Sequence, residues 1–288
     1  HTEQENARAH LLCALEPAAP WQVIAITFTN KAAGELKQRL EDRIGPDAQD
    51  VWAATFHSAC VRILRRDIEK LGFPSSFTIY DTDDSLRVIK ESLKALNMDD
   101  KSFPPRSVLG YISRAKDDMQ LAEDFLDQAK AQGDFRLQKI GNVYLAYQKK
   151  LWAAGALDFD DIIMQTVRLL TECEEVRSLL QNRYKYISVD EYQDTNYAQL
   201  ELTLLLSAKN KIIMVVGDDD QSIYKFRGAV IENILNFDKN YDNTTVIKLE
   251  ENYRSTKTIL DAANKVIENN SGRLGKTLWT SGNQGDKI

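Results

Sequence analysis

The stretch Tyr186-Ile187-Ser188-Val189-Asp190-Glu191-Tyr192-Gln193-Asp194-Thr195-Asn196 decides how the chain is read. Tyr186, Ile187 and Val189 form a short apolar run of strand length and β-branched character. The run stops on two adjacent carboxylates, Asp190 and Glu191. In an open parallel sheet the carboxyl end of a strand faces the ligand crevice, so both acids are expected where a ligand binds. An Asp there can hold the Mg²⁺ of a nucleoside triphosphate, and a neighbouring Glu can orient and deprotonate an attacking water. For a bare Asp-Glu pair, a strand ending in a polar turn would be the better explanation. The longer string is what carries weight.

Asp190-Glu191-Tyr192-Gln193-Asp194-Thr195 resembles the Walker B motif of UvrD/PcrA/Rep-type DNA helicases. The resemblance implies an α/β fold: a RecA-like parallel sheet flanked by helices, the P-loop NTPase fold, with an inserted all-helical subdomain. It implies ATP and Mg²⁺ as cofactors, Asp190 as the metal ligand and Glu191 as the catalytic base.

Composition sets bounds around this reading. Hydrophobic residues make up 43% and charged residues 28%, the balance of an ordinary globular protein. The net charge of −6 excludes a polycation that grips nucleic acid indiscriminately, so a nucleic-acid site must be a local groove. Cys13, Cys60 and Cys173 are odd in number and lack C-x-x-C spacing, which fits a reducing, cytoplasmic setting better than a disulfide frame or zinc site. No apolar run approaches membrane-spanning length, and no signal-peptide pattern is expected.

At the start, residues 1–7 resemble the family's Q motif, which places Gln4 against the adenine edge. The family continues with a strand and a phosphate loop ending in Gly-Lys-Thr. Here, within about twenty residues of Gln4, the chain is already in a buried-strand run at 23–28. The sequence on either side looks intact, so the intact protein is expected to carry that strand-plus-loop unit. Gly275-Lys276-Thr277 is no substitute. G-x-x-x-x-G-K-[ST] needs a glycine where Asn270 stands, and a strand rather than a helix before it.

The run at 23–28 leads through Thr29-Asn30, which supplies capping chemistry, into a helix with Ala33, Leu36, Leu40 and Ile44 at helical spacing. Thr27-Phe28-Thr29-Asn30-Lys31-Ala32-Ala33 resembles motif Ia, which implies single-stranded-DNA contacts from Phe28 and Asn30. Thr55-Phe56-His57-Ser58 opens a second helix stopped at Gly72 and resembles motif Ib, with His57 against a DNA phosphate or base. Core packing of Phe28 and a capping or surface role for His57 are the plainer explanations of these residues taken singly.

Residues 81–157 are rich in charge and helical periodicity, and they match the family's inserted helical subdomain 1B. Residues 157–161 (Leu-Asp-Phe-Asp-Asp) resemble motif Id and mark the return to the main domain. Domain 1A is therefore expected over 1–80 plus 158–288. After a helix at 198–206, a second buried-strand run at 211–216 ends in Gly217-Asp218-Asp219-Asp220-Gln221-Ser222-Ile223-Tyr224-Lys225-Phe226-Arg227, a long match to motif III. By resemblance Gln221 contacts the γ-phosphate, Tyr224 and Phe226 lie on the DNA groove, and Arg227 takes an ion pair or phosphate. Phe226 stands where the family usually has Trp, a larger stacking face. A last strand is expected at 245–249, then Glu251-Asn252-Tyr253-Arg254-Ser255, resembling motif IV. Its Tyr253 would stack on adenine and its Arg254 would reach the γ-phosphate with a fixed charge and planar fork. The helix that follows is expected to turn Ile259, Ala263, Val266 and Ile267 inward.

The motifs occur in family order over nearly the whole chain. Together they imply the N-terminal half of an ATP-dependent 3′→5′ DNA helicase that acts on single-stranded DNA and single-strand/duplex junctions, with no membrane role. A second RecA-like half of the same parent chain completes the ATP site, and the 288 residues alone are expected to be inactive. Two other readings remain at this point: a non-enzymatic DNA-binding scaffold that has lost its P-loop, and the helicase part of a RecB/AddA-like helicase-nuclease.

Overall fold

The computed structural model describes residues 18–270 and 272–288. Gln4 and the rest of the Q-motif match lie outside the described residues, as does the side chain of Arg227. The chain divides into two compact units, residues up to 191 with 196–216, and residues 192–195 with 217–288.

The first unit is built on four parallel strands, β1 (Val23–Thr27), β2 (Trp52–Thr55), β5 (Tyr186–Val189) and β6 (Ile213–Val215). Their order is β2-β1-β5-β6, with Thr27 level with Thr55, Ile26 with Val189, and Val189 with Val215. All four strands therefore deliver their carboxyl ends to one edge. Ile24, Ile26, Ile187 and Val189 are buried, because parallel strands are covered on both faces by their crossover helices. The run at 211–216 is not the buried strand expected: β6 covers 213–215 at the edge of the four described strands. Met214 is 59% exposed, with Ile212 and Val216 exposed beside it, because one side of the strand has no neighbour among the described residues.

Local chemistry sets the helix starts. Thr29 caps α1 (Asn30–Ile44) by accepting the Ala32 N–H, and Thr55 caps α2 (Phe56–Asp67) by accepting the Ser58 N–H. Gly72 ends the following 3₁₀ turn with φ 74°, a left-handed position that suits glycine. Along α1 only Ala33 is fully buried, and Ile44 is exposed.

Between β3 (Thr78–Ile79) and β4 (Ala156–Leu157), which pair in parallel, four helices follow in succession. These are α3 (Thr82–Ala95), α4 (Pro105–Asp117), α5 (Ala122–Ala131) and α6 (Phe135–Ala153). They enclose a core of their own around Ile89, Leu93, Ile112, Val143, Tyr144 and Tyr147. Next come α7 (Phe159–Glu172), α8 (Glu174–Arg183) and, after β5, α9 (Tyr197–Ser207). Reciprocal capping boxes start α7 (Asp158 with Asp161) and α9 (Asn196 with Gln199). Where α4, α6 and α7 meet, fully buried Lys116 reaches Asp158 at 2.6 Å and Asp161 at 2.9 Å, and the Tyr147 hydroxyl donates to Asp158 at 2.7 Å. The paired acids make burial of this ammonium tolerable.

The second unit holds short 3₁₀ turns, the single turn α10 (Glu232–Leu235) and α11 (Lys257–Ile267). Two expectations fail here. The β-branched run at 245–249 forms no strand, and Val246, Ile247 and Leu249 are exposed. A strand needs a neighbouring edge for its N–H and C=O groups, and the described residues supply only a single bridge, between Glu251 and Trp279. The inward face of α11 is also shifted. Leu260 is buried and Ile267 half-buried, while Ile259, Ala263 and Val266 are exposed. The cause is Asn264, whose side chain donates to the Leu278 carbonyl and accepts the Leu278 N–H, docking that segment on the Leu260–Asn264 face.

Candidate nucleotide and DNA site

Asp190 and Glu191 follow the last residue of β5 and are both exposed. The Asp190 N–H donates to the Ile26 carbonyl of the neighbouring strand, which anchors the turn. Glu191 has φ 52°, a left-handed conformation that costs a residue with a β-carbon roughly 1–3 kcal/mol. Its N–H donates to Asp190 Oδ1 at 3.0 Å, so the Asp side chain helps hold the sharp turn that follows the strand. Two solvent-facing carboxylates at the carboxyl end of a parallel strand are hard oxygen donors of the kind Mg²⁺ takes, so these residues fit that ion.

On the same sheet edge, Phe28 follows β1 and packs edge-to-face on Phe56, with centroids 5.5 Å apart. It is half-buried, so part of its ring serves the core. Asn30 is exposed in the first turn of α1, and the cap there is Thr29 alone. His57, in the first turn of α2, stacks on Phe159 with centroids 3.8 Å apart and planes 25° from parallel. Burial pushes its imidazole down to about 4, against a backbone hydrogen bond with Phe159 that works the other way. His57 is therefore neutral near pH 7 and offers a ring face and a hydrogen bond, not a positive charge. Phe159, 57% exposed, was not singled out from the sequence, although the Leu-Asp-Phe-Asp-Asp string contained it.

In the second unit, Gln193 links the two longest motifs. Its buried side-chain oxygen accepts the Asp218 N–H at 3.0 Å. Asp218 Oδ2 accepts the Gln221 side-chain amide at 2.7 Å. Tyr224 and Phe226 lie 6.0 Å apart, inclined at 39°, and Phe226 is 72% exposed. Tyr253 is 86% exposed, with its hydroxyl donating to Glu251 at 2.8 Å. The Arg254 and Ser255 N–H groups both donate to Asn252 Oδ1, so Arg254 sits in an Asn-capped turn ahead of α11 and not within its first turn. Lys276 ion-pairs with Asp218 and Asp220. No helix follows Thr277 among the described residues, unlike the geometry of a phosphate loop.

The N-terminal domain model of UvrD/REP helicases matches residues 6–242. The chain belongs to the UvrD/REP helicase family. Residues 247–288 match the UvrD-like helicase C-terminal domain. The chain is 53% identical to the ATP-dependent DNA helicase PcrA of Bacillus subtilis over 281 residues, covering 98% of this chain and 38% of that protein. It is 51% identical over 270 residues to the PcrA proteins of Staphylococcus aureus and Staphylococcus epidermidis, covering 94% of this chain and 37% of each. The chain thus spans well under half the length of these curated relatives. Among the described residues no helix is long and apolar enough to cross a membrane.

Proposed function

We propose that these residues form the ATP- and single-stranded-DNA-binding part of a 3′→5′ DNA helicase, with domain 1A interrupted by the helical insertion 81–157 and completed by a second RecA-like half. The observation that carries this reading is the shared edge of the parallel sheet. The strand end bearing Asp190 and Glu191 lies level with those bearing Phe28 and His57. A nucleotide-metal centre and a base-stacking surface then share one rigid scaffold, as a motor that couples hydrolysis to DNA movement requires. The match of 247–288 to the C-terminal domain family supports the second half. The exposed apolar strand β6 supports the expectation of a further strand and phosphate loop in the intact protein.

In this reading Asp190 holds Mg²⁺, and Gln4 and Tyr253 hold the adenine. Bound Mg²⁺ supplies charge neutralisation at the phosphates. Glu191 orients the attacking water and takes its proton, and the left-handed backbone at Glu191 sets the direction of its side chain. Gln221 and Arg254 meet the γ-phosphate. Phe28, Asn30, His57, Tyr224 and Phe226 meet DNA bases or backbone. The 288 residues alone neither hydrolyse ATP efficiently nor unwind duplex.

The test is Glu191→Gln in the full-length protein. DNA-stimulated ATP hydrolysis should fall by about 10²–10⁴-fold, the usual contribution of a positioned base, while ATP and single-stranded-DNA binding persist. Full retention of hydrolysis would remove Glu191 from the base role.

A further inference from the structure

Asp218, Asp219 and Asp220 bring three carboxylate oxygens within 4.8 Å of one another. Like charges this close need a counter-charge, and the second unit supplies one from its own C-terminal segment. Lys276 Nζ pairs with Asp218, and lies 3.3 Å from Asp220 and 3.7 Å from Asp219. Arg273 grips Asp220 with two hydrogen bonds, 2.8 Å from Nε and 2.6 Å from Nη2, and the Leu274 N–H donates to Asp219 at 2.8 Å. Burial works to lower the Lys276 pKa, and the hydrogen bond and charge of Asp218 outweigh it. The lysine stays charged.

Asp218 stands at the centre of this arrangement. Its backbone N–H is held by Gln193, one carboxylate oxygen meets Lys276, and the other accepts the Gln221 amide at 2.7 Å. Holding one Gln221 N–H on a fixed carboxylate sets the plane of the carboxamide and leaves its oxygen and second N–H to face a ligand. Asp218 and Gln221 belong to the stretch matched by the N-terminal family, and Arg273 and Lys276 to the stretch matched by the C-terminal family.

We infer that Lys276 is a positioning residue for Gln221, acting through Asp218, so that the segment following α11 sets the orientation of the motif III glutamine. The inference rests on the reading of Gln221 as a γ-phosphate contact.

The test is a double-mutant cycle in the full-length protein, read as DNA-stimulated ATP hydrolysis. Lys276→Gln keeps length and removes charge. It should lower kcat about tenfold with KM for ATP changed less than about threefold, the pattern of an interaction realised in the transition state. Lys276→Arg should restore most of the rate. In a Gln221→Ala background Lys276→Gln should cost nothing further, because both changes remove one coupled interaction. If Lys276→Gln does not fold, Asp218→Asn takes its place in the same cycle, with the same expectation. Additive losses, or an unchanged kcat in Lys276→Gln, overturn the inference while leaving Gln221 in its role. An unchanged kcat in Gln221→Ala alone overturns the reading of Gln221, and the inference with it.

Discussion

The side-chain oxygen of Gln193 lies 2.7 Å from the point where a Cβ on Gly217 would stand. The Ile234 Cδ1 methyl lies equally close to that point, at 2.7 Å. The same Gln193 oxygen accepts the Asp218 N–H, so it cannot withdraw without leaving a backbone donor unpaired. Gly217→Ala should therefore destabilise the fold by about 1–3 kcal/mol, as overpacking of a filled site does. Urea unfolding monitored by circular dichroism measures this. An unchanged midpoint would show that Gln193 and Ile234 shift freely.

The stacked pair His57 and Phe159 gives a second prediction. The Phe159 ring covers the imidazole, and burial holds the His57 pKa at about 4. Removing the ring in Phe159→Ala lets water reach His57 and should raise its pKa toward 6.5 by on the order of one unit. NMR titration of the His57 Cε1 proton reads the shift. Since the folded pKa is depressed, His57 favours the folded state above about pH 6.5, and this contribution is lost as pH falls toward 4. A titration midpoint that does not move in Phe159→Ala would place the cause of the shift elsewhere.

The parts of this structure that the sequence made legible are those in which local pattern and tertiary setting agree. Residues 23–28 and 186–189 read as strands, and they form β1 over 23–27 and β5 over 186–189, because each has a neighbour on both sides; only Phe28 falls outside. The run at 245–249 has the same β-branched character without such neighbours, and it stays irregular. Periodicity placed α11 correctly in sequence but missed its buried face by one residue, since a polar contact from Asn264 sets that face. For the candidate site, motif strings singled out Asp190, Glu191 and Gln221. No string announces that Lys276 meets Asp218, a contact 58 residues apart in sequence that exists only after folding.

Asp117 gives the fold a pH handle. Its carboxylate accepts a hydrogen bond from Asn196, the capping residue of α9, at 2.6 Å. Burial, then the charges of Asp160 and Asp118, push it up from 3.8 to about 7, against the pull of Asn196 and Arg114. An acid whose folded pKa is raised binds its proton more tightly in the folded state. Its contribution favours folding below about pH 4 and is lost as pH rises through 7. Asp117→Asn keeps the acceptor oxygen and removes the titration. Between pH 5 and 7 the unsubstituted chain should lose on the order of 2 kcal/mol relative to this variant. Urea midpoints at pH 5, 6 and 7 make the comparison, and parallel pH profiles would count against it.

By its resemblance to motif III, Phe226 stands where the family usually has Trp, and the proposed DNA contact gives that difference a measurable consequence. The ring is 72% exposed beside Tyr224, 6.0 Å away and inclined at 39°, so both rings can offer faces to bases on the same side of the motif. Stacking on an aromatic platform contributes about 1–3 kcal/mol per base and grows with the area of the π face. An indole at this exposed position meets no packing limit and adds face area. Phe226→Trp should therefore tighten single-stranded-DNA binding by the full-length protein by roughly 0.5–1 kcal/mol, a few-fold in Kd, with little change in salt dependence. Phe226→Ala should weaken it by about 1 kcal/mol or more. Fluorescence anisotropy with a short oligothymidylate, repeated at two salt concentrations, separates stacking from phosphate contacts. Equal affinity in all three proteins would take Phe226 off the DNA surface, and a changed salt slope would assign the difference to phosphate neutralisation instead.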